Sequence, residues 1–394
     1  MSAQLPEKVL IVDDDPTVAQ GLMNQLKSHN IKSVIARNYQ EGLYIFNQQR
    51  FDLCLVCLEL DEMPGTVVVQ RWRSSDVVSK RETPVVMLTA ATVPPEKKAL
   101  IEEMGRMKLI SKPIKIPPLL SLMADALLAR MRKEKLDEAY ERGVEPAIRK
   151  KDFERAQVTA KGKLEPLGEE GQWLSVKAHL DSEGYEHAET LLKGLCQKYP
   201  NNMRYPNELG ALYLKMNRND DAKAMFEHAD KMAPGNLERM ESMAEMYLSL
   251  SMPDESVDKM RDLLKLSPDQ PELKYSMYER LAAAGFEQHA RSFCKETSTP
   301  RELVKHYNNK GVVYSKQEEY VDAIDEYKKA LKLIPKSKEI HLILFNMALA
   351  HLKLKNTAHT MEAMAHLKKC LEINPKFEKA QEKLALIEKA IQKK

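Results

Sequence analysis

No stretch of the chain approaches the ~20 consecutive apolar residues that a membrane-spanning helix needs. Its start, MSAQLPEKVL, also lacks the basic-then-apolar layout of a secretory leader. A cytoplasmic protein with no membrane partner is expected. Charge of one sign is lacking too: 61 Lys and Arg are mixed with 58 Asp and Glu, for a formal net charge of +3. Nothing there draws the chain to nucleic acid or anionic lipid. The five cysteines, at 54, 57, 196, 294 and 370, include a single CxxC spacing, Cys54 and Cys57, but an odd separation on a strand points those two side chains to opposite faces, and there is no zinc-type spacing with histidine. Reduced thiols are expected, with neither a disulfide framework nor a zinc finger.

What is present divides the chain in two. A length of 394 residues suits two to three domains. β-Branched runs such as VLIV, VVV and VVMLT crowd the first third, while Ala, Leu, Lys, Glu and Met dominate afterwards, which sets a boundary near residues 117–137. The expected division is 1–134 and 135–394. In the first part, short apolar runs at 8–12, 33–36, 52–58, 84–89 and 107–111 alternate with segments of helical period and lack strict in/out alternation. Strands of that kind are buried on both faces, as in a parallel sheet. Five such units with right-handed crossovers make an α/β, flavodoxin-like, doubly wound sheet whose ligand site lies at the carboxyl ends of the strands. Every chemically loaded residue falls at such an end: Asp13, Asp14 and Asp15 after VLIV, Cys57 after LCLV, Thr89 after VVML and Lys112 after KLIS.

The strings VLIVDDDP, LTA at 88–90 and SKP at 111–113 occur in an order that resembles a response-regulator receiver domain over roughly residues 7–132. The resemblance implies a magnesium ion on Asp13 and Asp14, and Thr89 and Lys112 on the oxygens of a phosphoryl group. Cys57 stands where that family has its phosphoryl-accepting aspartate. Clustered carboxylates attract a hard cation, and the cation with a lysine offsets charge arriving on a phosphoryl group. A thiol is one hard ligand fewer, and carboxylates beside it should raise its pKa. The loop after the strand also departs from the family pattern, with Asp61 and Pro64 in place of a proline and an aspartate, and Leu109 replaces the aromatic that reports activation. Three readings of Cys57 follow: a small core residue in a static docking module, a pocket that still answers to an ion or metabolite, or a redox sensor.

In the second part prolines recur at 200, 234 and 268, in steps of 34, and again at 335, which is 67 further and therefore about two steps. That period marks a helix-turn-helix repeat. Residues 207–234, with Leu209, Gly210, Tyr213, Ala222, Phe226, Ala229 and Pro234, resemble the tetratricopeptide repeat, as do 308–335, with Gly311, Tyr314, Ala323, Tyr327, Ala330 and Pro335. Weaker units end at Pro200 and Pro268, degenerate ones cover 137–168 and 271–299, a longer pair spans 341–375, and FEKAQEKLALIEKAIQKK reads as a polar capping helix. Small residues let paired helices approach and aromatics fill the gaps between pairs, so an all-α solenoid with a concave groove is expected. Groove-facing positions hold Asn207, Ala211, Glu241, Glu245, Asn308, Val312, Phe345 and Leu349. They lack the Lys and Asn clamp of the chaperone-binding variety. A helix or extended segment of another protein is the expected ligand.

No Gly/Ser-rich or Pro-rich linker joins the two parts, so the last receiver helix is expected to run on into the repeats. No GxxxxGK[ST] loop, GGDEF or EAL string or helix-turn-helix output follows. The reading is a non-catalytic bacterial signalling adaptor, a degenerate response regulator working through protein partners in a two-component or second-messenger pathway, with no obligatory cofactor. The alternatives are a switch with another acceptor (Asp61, Glu59 or Asp15) and an RNA-binding array, against which Glu241 and Glu245 in the groove speak.

Overall fold

The computed structural model describes residues 5–90, 92–105, 107–268 and 270–392, the side chains of Val78 and Gln392 excepted. The chain forms two compact units, Met1–Met246 and Tyr247–Lys394. In the first, β1 (Lys8–Val12), α1 (Pro16–Lys27), β2 (Lys32–Ala36), α2 (Tyr39–Gln48), β3 (Leu53–Cys57), α3 (Gly65–Arg73), the single turn α4 (Val78–Arg81), β4 (Val85–Thr89), α5 (Pro95–Met104), β5 (Met107–Ser111) and α6 (Ile116–Gly143) follow in order. The strands are all parallel, in the order β2-β1-β3-β4-β5. Alternate residues serve opposite faces. Val9, Ile11, Leu53, Leu55, Val86 and Leu88 pack with Leu22, Leu26, Leu119 and Met123 of α1 and α6. On the other face Gly42 of α2 lies against Val12 and Val68 of α3, a Cβ there coming within 3.1 Å and 3.8 Å of them, and Phe46 stacks on Trp72 at 4.3 Å. All five carboxyl ends therefore meet at one edge.

Helix α6 is 28 residues long and runs unbroken across residue 134 to Gly143. After it come α7 (Glu145–Arg149), α8 (Phe153–Lys163), α9 (Glu169–Asp181), α10 (Tyr185–Lys198), α11 (Arg204–Lys215), α12 (Asn219–Met232) and α13 (Leu237–Ser249). Further on are α14 (Pro253–Lys265), α15 (Pro271–Ala283), α16 (Glu287–Thr297), α17 (Pro300–Lys316), α18 (Tyr320–Leu333), α19 (His341–Lys353), α20 (Thr357–Ile373) and α21 (Glu378–Gln392). A Cβ on Gly210 would come within 2.9 Å of the Phe226 ring, and one on Gly311 within 2.3 Å of the Tyr327 ring. These helix pairs close only because the side chain is absent. A residue with left-handed backbone recurs at the turn within each pair: Lys151, Glu183, Asn217, Ser251, Gly285, Glu318 and Lys355.

Inside the first unit the turn between α12 and α13 docks on α3 and α5. Gln70 Nε2 donates to Gly235 O at 2.9 Å, and the Leu237 N–H donates to Gln70 Oε1 at 2.7 Å. Leu100 packs against Met203, Ala229 and Ala233. Arg239, wholly buried, donates through Nη1 to Glu103 Oε1 at 2.5 Å and through Nη2 to Ala233 O, while Asn236 Nδ2 donates to the same Glu103 oxygen at 2.8 Å.

Burial, and then the charge of Glu238, push the carboxyl of nearby Glu208 up to about 7. A raised pKa means the fold favours the protonated acid, so this contribution is fully present below the ordinary value and is lost as pH rises through about 7. Glu208→Gln is expected to stabilise the protein by on the order of 1–2 kcal/mol near pH 8, and by far less near pH 4.5, in urea denaturation. Equal effects at both pH values would contradict this.

Candidate functional site

The strand ends bring Asp13, Asp14, Cys57, Thr89 and Lys112 to one edge of the sheet. Asp13 is fully buried; its Oδ2 lies 2.8 Å from Lys112 Nζ and its Oδ1 accepts the Asp15 N–H at 3.1 Å. Asp14 Oδ2 accepts the Asp61 N–H at 2.6 Å. Asp15 turns away to cap α1, accepting from the Thr17 and Val18 N–H groups, which hold its carboxyl below the ordinary range. The Lys112 N–H donates to Thr89 O at 2.6 Å, and its ammonium reaches Cys57 Sγ at 3.3 Å. The thiol donates to Glu59 O at 3.4 Å.

Burial pushes Cys57 up, the Asp13 carboxylate adds to it, and Lys112 only partly offsets them. Burial likewise raises Asp13 against the pull of Lys112. For Lys112, burial alone would lower the pKa, but the bond to Asp13 and its charge outweigh it and the net direction is up. The result is a neutral thiol beside an ion pair, which is a poor nucleophile. Ligand atoms of Asp13, Asp14 and Cys57 lie within 4.8 Å of one another. Magnesium wants a near-octahedral oxygen shell. Here sulfur stands where an oxygen would, and Lys112 already neutralises Asp13, so the donor set does not fit that ion.

The residue that organises the pocket is Glu59, which the sequence offers only as an alternative acceptor. Its Oε1 accepts from the Thr89 hydroxyl at 2.9 Å, and its Oε2 faces the Ala90 N–H at 3.4 Å. Two donors at the end of β4 are thus spent on a carboxylate of the same chain. The signal was available: an acid two residues past a parallel strand sits at the edge where the neighbouring strand ends. Asp61 stays exposed on the loop.

Of the expected groove residues in the first unit, Asn207 is buried, Ala211 and Glu241 are half-buried and Glu245 is exposed. In the second unit Asn308 accepts from Asn346 Nδ2 at 2.6 Å, Val312 and Leu349 are half-buried, and Phe345 meets Phe377 edge-on at 5.0 Å. A cleft in that unit is instead lined by Glu272, Tyr275, Lys305, His306, Asn309 and Val313.

Among the described residues no helix is long and apolar enough to cross a membrane. Residues 9–124 match the family described as response regulator receiver domain, and 207–236 and 304–337 match tetratricopeptide repeat families. The chain is 32% identical over 122 residues to the transcriptional regulatory protein GlrR of Escherichia coli, covering 31% of this chain and 26% of that one. It is 32% identical over 136 residues to the response regulator protein PilR of Pseudomonas aeruginosa, covering 34% and 28%. A solved signal receiver domain of a histidine kinase from Syntrophus aciditrophicus is 27% identical, with coverages of 31% and 91% and a TM-score of 0.29. The chain therefore spans only about a quarter of the length of the first curated relatives it matches. This protein carries a response-regulator receiver domain, followed in the same chain by tetratricopeptide repeats.

Proposed function

We propose that this chain is a non-catalytic signalling adaptor: a degenerate receiver held in one state, joined to repeats that bind other proteins of a two-component or second-messenger pathway in the cytoplasm. Neither family is a catalytic one. The observation that carries the reading is the pair of contacts from Glu59 to Thr89 and Ala90, next to a thiol in the acceptor's place. In the receiver family the threonine answers to an incoming phosphoryl group; here it answers permanently to a resident carboxylate. A carboxylate in that place supplies the negative charge and the acceptor oxygens without any transfer reaction. In this reading residues 1–134 supply a fixed docking surface, residues 135–394 supply the partner groove, and nucleic acid is not a ligand.

The test is direct. With acetyl phosphate and magnesium, the intact mass of the full chain should stay unchanged, because the thiol is neutral and Glu59 occupies the donors. A phosphoryl adduct mapped to Glu59, Asp61 or Asp15 would replace this reading with a switch that uses another acceptor.

A further inference from the structure

Three of the ten histidines of the chain meet at one corner of the second unit. His351 lies in the last turn of α19. Asn356 caps α20 by accepting the His359 N–H at 2.7 Å, which fixes His359 in the first turn. His359, Glu362 and His366, at i, i+3 and i+7, share one face of that helix. The Nδ1 atoms of His351 and His359 face each other at 3.0 Å, and the His366 ring stacks on His351 with centroids 5.4 Å apart. Glu362 Oε2 lies 3.8 Å from His366 Nε2. His351 is buried, and its Nε2 has no hydrogen-bond partner.

We propose that His351, His359 and Glu362 bind a divalent transition-metal ion of the zinc, nickel or copper class across the α19–α20 turn. Imidazole nitrogens suit these ions. In the metal-free arrangement one ring N–H donates to the other ring's lone pair. Bonds of about 2.0–2.1 Å to a tetrahedral ion hold two nitrogens about 3.3 Å apart. The rings therefore have to part by only a few tenths of an ångström and turn both lone pairs towards the ion. Glu362 is exposed, one turn beyond His359, so a rotamer change brings its carboxylate in as a third ligand and offsets the charge. Burial, then the neighbouring His366 and His359 rings, hold the His351 pKa down to about 4. His351 is thus a neutral ligand at physiological pH and does not have to shed a proton first.

The probe is zinc chloride titrated calorimetrically into the full chain, with excess magnesium chloride to occupy the exposed carboxylates. Cobalt chloride serves as the optical reporter of coordination by imidazole. One equivalent should bind, and His359→Ala should weaken binding at least about tenfold. His359 is only half-buried in the first turn, so this variant keeps the fold. His351→Asn is the second variant and should lose the same cobalt spectrum. Absence of stoichiometric binding, or a variant that binds as the parent does, overturns the proposal. Neither outcome bears on the phosphodonor test, because the corner shares no residue with the receiver pocket.

Discussion

Replacing Arg239 by alanine should cost about 3–5 kcal/mol, because it leaves the Glu103 carboxylate buried without its cation. The guanidinium is fully inside, and the Glu103 side chain is 3% exposed. The second acid on Arg239, Asp230, is 3.7 Å from its Nε. Burial already pushes the carboxyl of Glu103 up, and the charge of Arg239 is the largest influence pulling it back. Removing that charge tips Glu103 further towards the protonated form, so the loss should be greatest at alkaline pH and relieved in acid, where a neutral carboxyl fits the site. Glu103→Gln keeps an acceptor for Asn236 Nδ2 and should cost less. The variant should also loosen the α12–α13 turn from α3 and α5, seen as faster proteolysis there. Guanidinium denaturation at pH 6 and pH 9 reads the energy; a loss below about 1 kcal/mol, the range of an exposed pair, would show the ion pair to be solvated.

This buried pair was invisible in the sequence. Glu103 and Arg239 are 136 residues apart, and nothing local separates them from the many surface charges around them. The strands were legible, because parallel strands buried on both faces are written as continuous apolar runs: the run at 8–12 is β1, residue for residue, and is buried from Val9 to Val12. The repeat was legible wherever packing demanded one residue type, as at Gly210 beneath Phe226. It faded where only the backbone was constrained. The left-handed turn residues at 183, 217, 251 and 285 keep the step of 34, yet only the last is glycine. Glu, Asn and Ser there accept the small cost of left-handed backbone, so no common letter marks the position.

The pocket divides in the same way. Asp13, Thr89 and Lys112 were legible because a strand end fixes them, while the function of Glu59 depends on how residues 58–64 fold back. That path was not encoded as a motif, since Asp61 and Pro64 break the family pattern. It is set by one close approach, at Gly65.

Gly65→Ala should therefore be the most damaging single methyl added to the receiver. A Cβ there would lie 2.0 Å from Cys57 O and 3.1 Å from Val56 Cγ1. The obstacle is backbone at the end of a central strand, so no side-chain rotation relieves it, and the cost should reach about 3 kcal/mol. The Gly65 N–H donates to Leu58 O at 3.0 Å, closing the excursion that carries Glu59. Opening it takes the Glu59 carboxylate off Thr89 and Ala90 and uncovers Cys57, now 3% exposed. The variant should show two coupled changes: a lower denaturation midpoint, and a Cys57 thiol that reacts with a maleimide at native conditions, identified by peptide mass. Gly194→Ala is the control, since a Cβ at that exposed helical position meets nothing within 4 Å; it should stabilise by about 0.5–1 kcal/mol. If Gly65→Ala unfolds at the parent's midpoint with its thiol still protected, the loop does not depend on this contact and Glu59 is held by something else. If the midpoint falls and the thiol opens together, the resident carboxylate and the shielded thiol are one structural feature, kept in place by the absence of a side chain six residues after Glu59.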